Sequence, residues 1–115
     1  MDDQRRSPCP VSCTLDVIGD KWTLLIIRDL VLGRSHFSEF QKSPEGIATN
    51  ILSNRLARLV DHGIVEKYPS TSNPGRDAYR LTAKGKALRP VLRAIVKWGL
   101  EHIEGTSREL DQPES

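Results

Sequence analysis

The chain has only two cysteines, Cys9 and Cys13, in 115 residues. That is too few for the disulfide framework of a small secreted domain, and two thiols cannot complete a tetrahedral zinc site. The three histidines, His36, His62 and His102, are scattered and do not supply the missing ligands. No apolar run approaches the ~20 residues a membrane span needs, because Trp22 to Leu32 is interrupted by Arg28-Asp29. Met1-Asp2-Asp3-Gln4-Arg5-Arg6 offers no apolar signal-peptide core, so a cytoplasmic location and no membrane partner are expected. A glycine-rich phosphate loop and a nucleophile elbow are also missing, and Ser38 and Ser53 have no histidine at a plausible spacing. The expectation is therefore a protein that is not an enzyme and that holds neither cofactor nor metal.

What remains is the length of one domain, with 37% apolar and 28% charged residues, a soluble globular balance. The net charge of +2 conceals a division. Residues 1–33 carry four basic and five acidic side chains, residues 34–100 carry twelve and five, and residues 101–115 carry one and five. A positive middle suits a polyanion partner, although solvated lysines and arginines on helices give the same count.

Hydrophobic spacing and punctuation predict helices over about 11–18, 20–32, 36–42 and 48–62, with Gly19, Gly33 and Gly63 as stops. Two short alternating segments, 65–68 and 78–81, enclose a polar loop too long for a two-residue turn. Thr82 is placed to cap a last helix running to about 103, with a stripe of Leu88, Val91, Leu92, Ile95 and Trp98. Residues 1–8 read as a mobile arm, 9–104 as the folded domain and 105–115 as a disordered acidic tail. Trp22, Phe37, Phe40 and Trp98 are expected in the core.

The stretch 44–64, "PEGIATNILSNRLARLVDHGI", carries the strongest functional signal. Ile47, Leu52, Leu56, Leu59 and Ile64 share one side at about 100° per residue. Asn50, Asn54, Ala57 and Asp61 fall opposite, flanked by Ser53, Arg55 and Arg58. Short amides, a hydroxyl and arginines are the groups that hydrogen-bond to base edges and phosphates. A short helix, a tight connection and such a helix make a helix-turn-helix, unless the pair is only a helical hairpin in a small bundle. The following hairpin would then be a wing, with Arg76 at its tip able to enter the minor groove.

These segments resemble the HxlR-type winged helix-turn-helix transcriptional regulators, small bacterial dimeric DNA-binding proteins. The matching stretches are "CPV" at 9–11, "LDVIGDKWTLLIIRDL" at 15–30, "FSEF" at 37–40, "SPEGIATNILSNRLARLVDHGIVEK" at 43–67, "YRLTAKG" at 79–85, and "LRPVL" with Trp98-Gly99 near the end. The resemblance implies a mainly α, winged helix-turn-helix domain with a two-stranded β-hairpin wing and N- and C-terminal dimerisation helices. It places Thr49, Asn50, Ser53, Asn54, Arg55 and Arg58 at or near the major groove. Helix geometry suits Asn50 and Asn54 to base edges and Arg55 and Arg58 to phosphate or a guanine, while Arg55 could instead lie across the domain's own surface. The wing departs from the family's Pro-Pro-Arg or Pro-Arg before an aliphatic residue. Here Asn73-Pro74-Gly75-Arg76-Asp77 puts a carboxylate beside the arginine and weakens its field.

In the same family a cysteine in a Cys-Pro pair near the N-terminus often senses electrophiles or oxidants, and Cys9 stands in such a pair. A thiol at a helix N-terminus, near Arg5 and Arg6, would have its thiolate favoured, with Cys13 or a second subunit's Cys9 resolving it. Inert thiols are the alternative. One recognition helix reads few base pairs, so a homodimer on a palindromic double-stranded DNA operator is expected, with repression as the outcome. The competing function is a winged-helix protein-interaction module without DNA binding. No feature of the sequence identifies a small-molecule effector.

Overall fold

The computed structural model describes residues 5–107. The expected arm and tail lie partly outside that range, at 1–4 and 108–115. Six helices and one hairpin follow in the order α1 (Pro10–Ile18), α2 (Thr23–Val31), α3 (Phe37–Gln41), α4 (Thr49–Asp61), β1 (Val65–Pro69), β2 (Asp77–Leu81), α5 (Ala83–Lys86) and α6 (Arg89–His102). This is the mainly α winged helix-turn-helix expected from the sequence. Among the described residues no helix is long and apolar enough to cross a membrane.

The core gathers Ile26 and Ile27 of α2, Phe40 of α3, and Leu52, Leu56 and Leu59 of α4 against Ile64, Val65 and Leu81 at the base of the hairpin. The apolar period of α4 is thus spent on one buried side, which fixes which side is left outward. α4 ends in a Schellman motif: Gly63, at φ 73°, donates to Val60 O at 3.0 Å and Ile64 to Leu59 O at 3.0 Å. That turn delivers Ile64 and Val65 straight from the helix into the core and the hairpin.

β1 and β2 pair antiparallel with Val65 opposite Leu81 and Pro69 opposite Asp77. The wing is held at its root by the segment before α3. His36 bridges to Ala78, Tyr79 N–H donates to Ser35 O at 2.8 Å, and His36 Nε2 lies 2.7 Å from Ser70 Oγ.

Three expectations are corrected. α2 begins at Thr23 rather than 20, because the Asp20 carboxylate accepts from the Trp22 N–H at 3.3 Å and from the Thr23 hydroxyl, holding 20–22 in a turn ahead of the helix. The last helix is two helices, α5 and α6, divided at Ala87-Leu88. Pro90 has no N–H to give the carbonyl four residues back, so a continuous helix through it would lose that bond; it sits instead in the first turn of α6. Trp98 is not in the core: it is 60% exposed. Of the other aromatics, Phe40 is buried and Trp22 and Phe37 are half-buried.

Candidate nucleic-acid interface

α4 presents Thr49, Asn50, Ser53, Asn54, Ala57 and Asp61 outward, all exposed, while Arg55 and Arg58 are half-buried at the flanks. Asn50 and Ser53 have no hydrogen-bond partner for their side chains among the described residues, and both remain available to a ligand. Thr49 Oγ1 accepts from Gln41 Nε2 at 3.1 Å, which ties the start of α4 to the end of α3.

The two arginines are engaged within the domain. Arg55 Nε donates to Asp20 Oδ2 at 2.6 Å, and its Nη1 donates to Asn54 Oδ1. This is the placement across the protein's own surface, and it leaves the Asn54 NH2 group as that side chain's outward donor. Burial alone would raise the Asp20 pKa, but hydrogen bonds from Arg55, Thr23 and Trp22 and the Arg55 charge outweigh it and hold the carboxyl below its ordinary value. Arg58 Nη2 reaches the Asp16 carbonyl at 3.3 Å, a long contact to α1. Asp20 and Asp16 therefore stand between α1, α2 and α4 and aim both guanidinium groups.

The orientation of α4 is set from beneath by a polar knot that sequence reasoning missed. Asp29, buried in α2, accepts from Arg34 Nη1 at 2.9 Å and Arg28 Nη2 at 3.0 Å, and from the Ser43 hydroxyl. Arg28 also donates twice to Glu45, 2.8 Å to each oxygen. Hydrogen bonding to Arg28 lowers the Glu45 pKa, and the same bonds raise that of Arg28. The knot joins α2 to the turn before α3 and to the Ser43–Gly46 connection that launches α4. Its one sequence signal is the charge pair Arg28-Asp29 inside an otherwise apolar helix, which hydropathy registers only as a break.

In the wing, Arg76 is exposed, and its backbone closes the loop: Ser70 N–H donates to Arg76 O at 2.9 Å and Arg76 N–H to Asn73 O at 3.1 Å. Asp77 faces Lys67, with 3.8 Å between the charges. The neighbouring carboxylate thus has a cation of its own on β1.

Cys9 is the N-cap residue of α1 and is exposed; Cys13 is half-buried, its thiol 3.3 Å from Ser7 O. Both are free thiols. Arg6 turns to Asp16, 2.9 Å away, so its charge is shared with that carboxylate rather than reserved for Cys9.

Comparison with known proteins agrees with this geometry. The model of the HxlR-like helix-turn-helix family matches residues 17–107. The chain is 34% identical over 101 residues to sll1512 of Synechocystis, an uncharacterised HTH-type transcriptional regulator, covering 88% of this chain and 75% of that one. It spans 58% of the length of a Mycobacterium tuberculosis HTH-type regulator that it matches at 36% identity. Among solved structures, PA1607, a candidate transcription factor, superposes with a TM-score of 0.81 at 46% identity, over 90% of this chain and 72% of that one. The redox regulator HypR in its reduced form gives a TM-score of 0.75 at 31% identity, over 84% and 95%.

Proposed function

The chain belongs to the HxlR-like helix-turn-helix family of transcriptional regulators, and from that premise we propose that it is a cytoplasmic homodimer that binds a palindromic operator and represses transcription. The observation that carries this reading is the outward face of α4, where the exposed Asn50 and Asn54 lie opposite the buried Leu52, Leu56 and Leu59, with the exposed Ser53 on their flank. Asn50 and the NH2 group of Asn54 read base edges in the major groove. Thr49 and Ser53 contact the edges or the backbone, Arg58 and Arg55 contact phosphates after exchanging their internal partners, and Arg76 contacts the minor groove from the wing.

Cys9 is the thiol an oxidant meets first, being exposed at the start of α1. Two thiols give up two protons and two electrons to the oxidant as one disulfide forms, with Cys13 or the second subunit's Cys9 as the other partner. The likeness to the redox regulator HypR supports this use.

Fluorescence anisotropy of the reduced protein with DNA from upstream of its own gene, repeated across a salt series and after diamide, tests both parts. Tight binding whose logarithm falls linearly with log salt supports the regulator. Loss of that binding on oxidation, absent in Cys9→Ser, supports the switch. Equal binding before and after diamide overturns the switch alone, and no salt-sensitive DNA binding overturns the regulator in favour of a protein-interaction module.

A further inference from the structure

A cavity of about 520 Å³ lies between α2 and α6, away from the outward face of α4. Its volume is that of a site for a small organic ligand, usually about 300–1,000 Å³. Leu24 and Leu25 of α2 and Leu92 and Val96 of α6 give it an apolar lining. At its edge stand Arg89 and Arg93, one helical turn apart on α6. Neither has a carboxylate partner among the described residues. Glu45 also lines the cavity, but both of its oxygens are taken by Arg28. Like charges at this spacing on a helix repel one another, and an anion between them relieves that repulsion.

From this we propose that the cavity binds an amphipathic organic anion, its apolar body between α2 and α6 and its carboxylate or sulfonate held by Arg89 and Arg93. A second copy of the chain is the competing occupant. At about 100° per residue, however, Val91 and Trp98 centre on a different side of α6 from Arg89, Leu92, Arg93 and Val96, while Ile95, between the two sides, also lines the cavity. The two occupants thus contend for Ile95 alone, and Arg89 and Arg93 stay on the cavity side. A role for this anion as the regulator's effector rests on the DNA-binding reading; its binding does not.

The test uses the full chain and no DNA. 1-Anilinonaphthalene-8-sulfonate is titrated by fluorescence and competed with decanoate and, separately, with the neutral decanol. The expected result is saturable binding at one probe per protomer, with decanoate displacing the probe at a concentration about tenfold below decanol. Arg89→Gln with Arg93→Gln should weaken probe and decanoate by about tenfold or more at an unchanged melting temperature. Val96→Phe, which fills the cavity, should weaken decanoate and decanol together. Equal competition by decanoate and decanol, or unaltered binding in the double variant, overturns the proposal. So does binding that disappears as protein concentration rises and the dimer forms, which would give the cavity to the second copy.

Discussion

At the scale of single residues, the outward positions of α4 divide by chemistry. Asn50 has its whole amide available, and Asn54 keeps its NH2 group while its oxygen is held by Arg55. If they read bases, Asn50→Ala and Asn54→Ala should each cost about 1–3 kcal/mol on the preferred operator and relax its sequence preference. Arg58→Ala should instead weaken all DNA alike and lower the salt slope by about one. Competition between operator and scrambled duplexes separates the two outcomes. Glu45 yields a prediction about pH. Its folded pKa lies below the ordinary 4.5, chiefly through the Arg28 hydrogen bonds. A carboxyl with a depressed folded pKa contributes stability above its unfolded pKa and loses it as pH falls through the folded one. Wild-type stability should therefore drop between neutral pH and pH values below 4.5, and Glu45→Gln, less stable at pH 7, should lose less over that interval. Urea unfolding at the two ends of the interval measures this.

At the scale of elements, the helices and hairpin were legible because their signals are local. The period of Leu52, Leu56 and Leu59 and the terminating Gly63 lie within one short stretch, and the alternation of 78–81 needs only its own residues. What was not legible depends on contacts between distant segments. Asp29 meets Ser43 across fourteen positions, and the pairing of Arg55 with Asp20 spans thirty-five. No periodicity reports either. Truncating Asp29 would leave Arg34 without its carboxylate and Ser43 without its acceptor in a nearly dry site. Asp29→Ala is expected to cost about 3–5 kcal/mol, read as a fall in urea midpoint. Its failure to do so would mean that the knot does not fix the α3–α4 connection. The division of the last helix joins a local cause, Pro90, to a distant one. Gly85 of α5 lies so close to the hairpin root that an added Cβ would sit 2.2 Å from Ile64 O and 2.9 Å from Leu81 Cδ2. Thr82 caps α5 through Gly85 N–H at 3.1 Å and also donates to Gly63 O at 2.6 Å. α5 is thus clamped against the root of the wing while Pro90 starts α6 separately. Gly85→Ala should destabilise by about 1–3 kcal/mol through overpacking, a loss that thermal unfolding would register.

At the scale of the whole molecule, hydropathy marks which side chains leave water without saying whether their partner is the same chain. The sequence leads one to expect Trp98 in the core, yet it is 60% exposed, with Ile95 at 48% on the same helix and Val11 at 67% and Leu15 at 50% on α1. Exposed apolar residues on α1 and α6, with no buried residue anywhere in α6, are what the interface of the proposed homodimer would cover. Fully burying an aliphatic or aromatic side chain of this class is worth about 1.5–3 kcal/mol, so a few such residues per subunit are enough to drive pairing. In the homodimer proposed above, pairing would also set the DNA geometry, because a two-fold dimer presents its two α4 helices to half-sites about 34–36 Å apart or a multiple of that. Trp98→Glu and Leu15→Glu each put a charge at one of these exposed apolar positions without touching the core cluster around Leu52 and Phe40. Each should shift the protein to monomer in sedimentation velocity while the melting of the isolated domain stays within a few degrees. Operator affinity should fall steeply in both, and affinity for a single half-site should persist, because the outward face of α4 is intact in the monomer. A variant that remains dimeric, or a monomer that binds the full palindrome as tightly as wild type, would mean that α1 and α6 do not form the interface on which the operator is read.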